Sequence, residues 1–363
     1  MKRRAFLQAT AALPALAVMP SAVRETVAAQ TAEGWRTFET VTRVEIMNPS
    51  GVTRAWVPLP FTAQTDWHSP MGNKWVGNGQ MKVLTDGQYG AEMLYAEWKP
   101  GEKAPVVEVT SRFATRDRAV DPSRPNPRAT KLSAAEIKLN TAATELIPTD
   151  GIVRETAQGI VKGATTDVEK ARAIYEWVVD NTFRDPKVRG CGWGDVKTML
   201  ETKNFGGKCG DLNAMYVGLA RSVGVPARDV YGVRVAPSRL GYKSLGLGST
   251  NASKGQHCRA EFFAQGIGWV PVDPADVRKV ALEEPPGNLA VNDPKVVAMR
   301  KKLFGAWEMN WLAYNTAHGV RLPHSKTQVP YLMYVNGESG GKVLDQLDPD
   351  AFKYTITARE IKA

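Results

Sequence analysis

The sequence holds few of the residues that usually declare a chemistry by their numbers. Three cysteines among 363 residues cannot build a disulfide framework, and their odd number leaves a free thiol unless two chains pair. Four histidines, with no Cys-x-x-Cys or His-x-x-x-His spacing, give no support to a zinc site made from Cys191, Cys209, Cys258 and His257, so neither metal nor cofactor is expected. The longest apolar stretch, Ala9 to Val23, is broken by Pro14 and Pro20 and falls short of the about 20 residues a spanning helix requires. There is no internal repeat and no low-complexity tract. With 43% hydrophobic and 23% charged residues, disorder, a collagen-like chain and a membrane bundle are all disfavoured.

Length then favours two domains, since one domain commonly spans roughly 100–200 residues. The formal charge of +10 favours acidic surroundings. Part of it belongs to the N-terminus, where Lys2, Arg3, Arg4 and Arg24 stand against Glu25. That segment, residues 1–29, has the basic start, apolar middle and small-residue end (Val27-Ala28-Ala29) of an export signal, and its paired arginines resemble the twin-arginine type that carries folded proteins across a bacterial inner membrane. A periplasmic or secreted product follows as an expectation, without stable membrane insertion after cleavage. The remaining basic balance is modest and does not call for a nucleic-acid partner. Nothing in the sequence points to an oligomeric state.

Residues 30–115 alternate polar and apolar side chains in short runs, as at Phe38, Thr40, Thr42, Val44 and again at Val107, Val109, Ser111, Phe113. Period two predicts strands, and the punctuation by Asn48-Pro49-Ser50-Gly51, Asp86-Gly87 and Lys99-Pro100-Gly101 predicts an antiparallel sandwich or barrel. Residues 116–132, with Pro122, Pro125 and Pro127 among basic side chains, read as a solvated linker. Helical spacing begins beyond it, with capping boxes at Ser133–Glu136 and Thr166–Glu169 and an apolar stripe of Ala171, Ile174, Tyr175 and Val178. Strands return at 228–235 and 257–273. The fold class is therefore α+β, with the second domain at 133–290 and residues 291–363 as a C-terminal extension packed on it.

The chemistry concentrates at Gly206-Gly207-Lys208-Cys209-Gly210-Asp211, which opens a buried helix. Unpaired amides and the positive end of a helix dipole stabilise a thiolate there, and the same amides can hold an oxyanion. A cysteine at a helix start is more often a small buried hydrophobe, so a base must be found. Placing the turn of the hairpin after His257 at Gln265 sets His257 opposite Asp273, about 5 Å apart at Cβ. Asp273 then fixes the ring while its other nitrogen addresses Cys209. Alternation assigns Cys258 to the opposite face, with Ala260 and Phe262, as a core thiol. Cys191 reads as a free thiol, and His68, His318 and His324 as histidines without a chemical role.

These segments resemble the transglutaminase-like superfamily, a papain-like group of cysteine enzymes. Gly207-Lys208-Cys209-Gly210-Asp211 is similar to its nucleophile motif, Gly224-Val225-Pro226-Ala227-Arg228 to the turn that follows, and His257 to Glu261 with Gly268 to Asp273 to its histidine and aspartate strands. The resemblance covers about Thr166 to Asp273, and the β-rich region before it resembles the sandwich domain that often precedes this core. It implies Cys209 as nucleophile, His257 as base and later acid, and Asp273 as orienting group. It also makes Trp193 a candidate oxyanion donor through its indole. Arg259 stands where many relatives carry an aromatic, which makes it a candidate to bind a carboxylate-bearing substrate. The implied partner is a protein or peptide, attacked at an amide to give a thioester that passes to water, as in a peptidase or amidase, or to an amine, as in a transglutaminase. No calcium loop of the animal cross-linking enzymes is present, which favours water. The remaining alternative is a non-catalytic binding protein on the same fold.

Overall fold

The computed structural model describes residues 34–361; the export signal read at 1–29 and the last two residues lie outside them. The N-terminal alternation produces strands because its apolar positions all need the same covered face. In Arg36–Glu45 the side chains of Phe38, Thr40, Thr42 and Val44 are buried together. That strand lies between Val106–Thr115 and the chain's last strand, Tyr354–Ile361, with His68–Gly77 beyond Val106–Thr115. A second antiparallel sheet runs in the order Lys342–Val343, Asn336–Ser339, Thr53–Pro58, Glu92–Trp98, Gln80–Thr85. Phe38, Val107 and Phe113 of the first sheet share one core with Ala55, Leu94 and Trp98 of the second.

Two boundaries read from the sequence are corrected here. Residues 291–363 are not one extension on the domain read at 133–290: Trp311–Asn315 joins the sheet of that domain, whereas Asn336–Ser339 and Tyr354–Ile361 complete the two sheets of the sandwich. The N-terminal β unit thus closes only with strands from the far end of the chain. The segment 116–132 is also more than a solvated connector. Arg118–Ala119 pairs with Ala306–Trp307, and the buried Arg118 guanidinium bonds Glu261 and the Trp269 carbonyl between the rings of Trp67 and Trp307.

The second half is built around one helix, Cys209–Ser222, all fourteen residues of which are buried. Helices Gly151–Ile160 and Asp167–Asn181 pack on it, the latter through Ala171, Ile174, Tyr175 and Val178 as its spacing requires. Both capping boxes form. Against the central helix lies an antiparallel sheet in the order Gly268–Val272, Gln256–Ala264, Ala227–Arg234, Trp311–Asn315. Gly224, at φ 83°, ends the helix in the left-handed conformation that a glycine adopts without strain. No helix among the described residues is long and apolar enough to cross a membrane.

Candidate active site

Cys209 is the first residue of the central helix, and Lys208 before it is extended, at φ −115° and ψ −165°. The helix start is clamped by a carboxylate that sequence reasoning passed over. Asp211 accepts the Lys208 N–H at 2.9 Å and the Gly194 N–H at 2.9 Å, tying the loop 190–194 to the first helical turn. The Gly210 N–H donates to the Cys191 carbonyl at 2.7 Å, and the Tyr331 hydroxyl to the Gly192 carbonyl at 2.5 Å. Glycine is required where this loop and the helix meet, because a Cβ on Gly192 would stand 1.8 Å from Asp211 Oδ2 and one on Gly210 2.6 Å from the Cys191 oxygen. Gly210→Ala is accordingly expected to push the loop off the helix and slow alkylation of Cys209 about tenfold or more, measured by intact mass against time.

His257 lies on Gln256–Ala264, with its carbonyl held by the Trp311 indole N–H at 2.9 Å. Its Nε2 is 2.8 Å from Asp273 Oδ2, which leaves Nδ1 to address the Cys209 thiol on the wall of the same cavity. The expected juxtaposition is present, but by another route. The ladder pairs Ala264 with Gly268 and Ala260 with Val272, one residue later in its centre than the sequence reading, and Asp273 has already left the strand. It is the N-cap of helix Pro274–Glu283, its Oδ1 accepting the Asp276 N–H at 3.0 Å, with Asn213 Nδ2 at 3.4 Å. That helix also delivers Asp276, whose Oδ2 is 3.4 Å from His257 Nε2 and which holds Arg234 through two bonds of 2.6 and 2.8 Å.

Electrostatics favour an ion pair. Burial pulls the His257 ring down, but Asp276 and Asp273 outweigh it against the opposition of Arg234 and lift it to about 9. Hydrogen bonds from Cys191 and Cys258, together with the His257 ring, overcome burial and hold the Cys209 thiol well below its usual range. All three thiols are free and buried. Cys258 is the core thiol that alternation predicted, yet it also flanks Cys209. Cys191 flanks it too and donates to the Gln256 carbonyl at 3.5 Å. Among the described residues His257, Asp273 and Asp276 are the group spaced to hold a metal ion. A cation there would have to displace Arg234 from Asp276 and face Arg259, 3.6 Å from Asp273, so the group fits a metal poorly.

The structure places the two remaining candidates away from the thiol. Arg259 is 3% exposed, lies over Trp311 at 4.7 Å and donates to the Glu308 carbonyl at 2.9 Å. It shares His257's strand face, but that face is roofed by Trp307 and Trp311, so it supports Asp273 from below and meets no substrate. Trp193 is 65% exposed and lines a separate cavity of about 230 Å³ with Gly210, Tyr231, His318 and Tyr331. The cavity at the thiol, about 320 Å³, is lined by Cys209, His257, Cys191 and Tyr334, and Trp193 is not on its wall.

Comparison with known proteins follows the same lines. A sequence model of the Transglutaminase-like superfamily matches residues 154–274, from the helix packed on the central one to the residue after Asp273. An uncharacterized protein of Haemophilus influenzae is 37% identical over 328 residues, covering 86% of this chain and 87% of that protein. Among solved structures, a candidate cysteine protease of Cytophaga hutchinsonii superimposes with a TM-score of 0.50 at 12% identity, covering 90% of this chain and 98% of its own. The periplasmic domain of TgpA from Pseudomonas aeruginosa gives a TM-score of 0.34 at 14% identity over 70% of this chain and 92% of that one.

Proposed function

The chain belongs to the transglutaminase-like superfamily, and from that membership we propose that it is an exported enzyme that hydrolyses amide bonds through a thioester on Cys209. The observation that carries the proposal is the 2.8 Å contact of His257 with Asp273 in the cavity that also holds Cys209. The thiolate attacks the amide carbonyl carbon, and the developing oxyanion meets the Cys209 N–H, which as the first of its helix has no intrahelical acceptor. His257, held as imidazolium, gives its proton to the departing amine, and the C–N bond breaks. Neutral His257 then takes a proton from water, whose oxygen attacks the thioester carbon and releases the acid and the thiolate. Asp273 keeps the ring oriented throughout, with Asn213 and the Asp276 N–H fixing its second oxygen. The name of the Cytophaga relative, a candidate cysteine protease, agrees with hydrolysis. Export rests on residues 1–29 and is tested by fractionating cells that express the whole chain.

Reaction with iodoacetamide at pH 6, followed by intact mass, tests the nucleophile. We expect one fast addition in the wild type, none in Cys209→Ala, and a rate lower by about a hundredfold in His257→Ala, because an unassisted thiol of pKa about 8.5 is scarcely ionised at that pH. Equal slow labelling in all three would favour the binding-protein reading. Digestion of a peptide library then separates hydrolysis, which yields new carboxyl termini, from transfer, which incorporates an added amine.

A further inference from the structure

Arg259 lies too deep to bind substrate, yet the cavity wall above Cys209 is strongly cationic for another reason. Arg184, Lys208, Arg234, Lys254 and Lys279 all line it, and no aspartate or glutamate does among the described residues. Their counter-charges lie behind or outside the wall and are too few. Glu283 serves both Arg184 and Lys279, the latter at 3.5 Å. Asp276 serves Arg234 and His257 together. Asp350 holds Lys254 at 2.9 Å, but both side chains are largely exposed, so water and salt screen the pair. The side-chain ammonium of Lys208, half-buried and adjacent to the nucleophile, makes no ion pair with a carboxylate among the described residues; Asp211 meets only its backbone N–H. Lys279 is more telling, since its ammonium is largely shielded from water and bonds a backbone carbonyl, that of Ser244, at 2.5 Å. Burying a cation costs several kcal/mol unless an anion meets it. Three carboxylates thus answer the five cations of the wall, while the His257 imidazolium on the floor is met by Asp273 and the Cys209 thiolate.

We propose that this cavity recognises an anionic substrate, an amide carrying a carboxylate near the scissile bond, as at the chain end or an acidic side chain of a peptide, with Lys208, Lys254 and Lys279 as its binding residues. This rests on the amide-cleaving reading of the same site and narrows it. A neutral or basic peptide would leave the wall uncompensated, whereas a carboxylate supplies the missing charge and is drawn in by the field of the cavity.

A matched pair of alkylating probes tests the field without a known substrate. Iodoacetate and iodoacetamide react identically at Cys209: the thiolate sulfur bonds to the methylene carbon and iodide leaves with the electrons of the carbon–iodine bond. They differ in one charge. The ratio of their second-order rate constants therefore cancels changes in thiol ionisation and reads the local potential. Normalised to the ratio for free cysteine, it is expected to exceed one by about tenfold at low ionic strength, to fall with added salt, and to drop about two- to fivefold in Lys208→Gln and again in Lys254→Gln. Lys254 is exposed, so its variant guards against misfolding at the less accessible site. A normalised ratio of one, or a preference for iodoacetate that both variants leave intact and that therefore does not come from these lysines, overturns the proposal while the nucleophile stands. Labelling of Cys209 by neither probe removes the nucleophile, and the proposal with it.

Discussion

Cleavage of a peptide recovered from the library digest is expected to fall on the alkaline side with an apparent pKa near 9, and His257→Ala to lower kcat/KM by about a thousandfold or more. The limb belongs to His257 because the leaving amine needs its proton, and the ring holds that proton to about pH 9. Two carboxylates raise it, of which Asp276 contributes more than Asp273 by charge alone. Asp276→Asn removes that contribution and leaves Arg234 facing the ring without its partner. The limb should then move to lower pH, cutting the rate at pH 8.5 by about tenfold and the rate at pH 6 much less. An unmoved limb would assign the proton to another group. Stability carries the same signature. A histidine whose folded pKa is raised from 6.5 to about 9 contributes stability that is fully present below 6.5 and is lost as pH rises through 9, about 3 kcal/mol in this case. Thermal unfolding of the wild type between pH 6 and pH 10 should show that loss, and His257→Ala should not.

What the sequence made legible follows from periodicity and local chemistry. The strand at Phe38–Val44, the stripe on Asp167–Asn181 and the glycines around Cys209 each state a local requirement that the structure meets. The pairing of Tyr354–Ile361 with Arg36–Glu45 was not legible, since alternation gives a strand but not its partner some 300 residues away. Nor was the burial of Arg259, because period two names a face and not what covers it. The His257–Asp273 contact was found with the wrong ladder. The motif Asp273-Pro274-Ala275-Asp276 carries the better signal, an Asp N-cap followed by proline at the first helical position, and would have placed Asp273 at a helix start with Asp276 one turn on, beside the same imidazole. Asn213 stands four residues after Cys209 on the same helix face, a spacing visible in the sequence but meaningful only once the Asp273 helix is seen to begin there.

Glu261→Gln is expected to cost about 3–5 kcal/mol and to lower the melting temperature by roughly 5–10 °C. Glu261 is 1% exposed and accepts from Arg118 at 2.5 Å and Arg228 at 2.6 Å, so its amide would leave two guanidinium groups without an anion. Arg118 cannot retreat into water: it is 7% exposed and held between Trp67 of the sandwich and Trp307 near the C-terminal strands. The charge on Glu261 therefore fastens the segment 116–132 to the catalytic sheet, and its loss should expose that arginine-rich stretch to trypsin well before the rest of the chain unfolds. Burial raises the Glu261 carboxyl, but Arg228 and Arg118 outweigh it and depress it below 4.5. The contribution of a depressed carboxylate is present above the unfolded value and lost as pH falls through the folded one. The stability gap between wild type and Glu261→Gln should accordingly be widest near neutrality and narrow below pH 4.5. A gap that stays constant with pH would mean that the glutamate acts through its shape and not its charge.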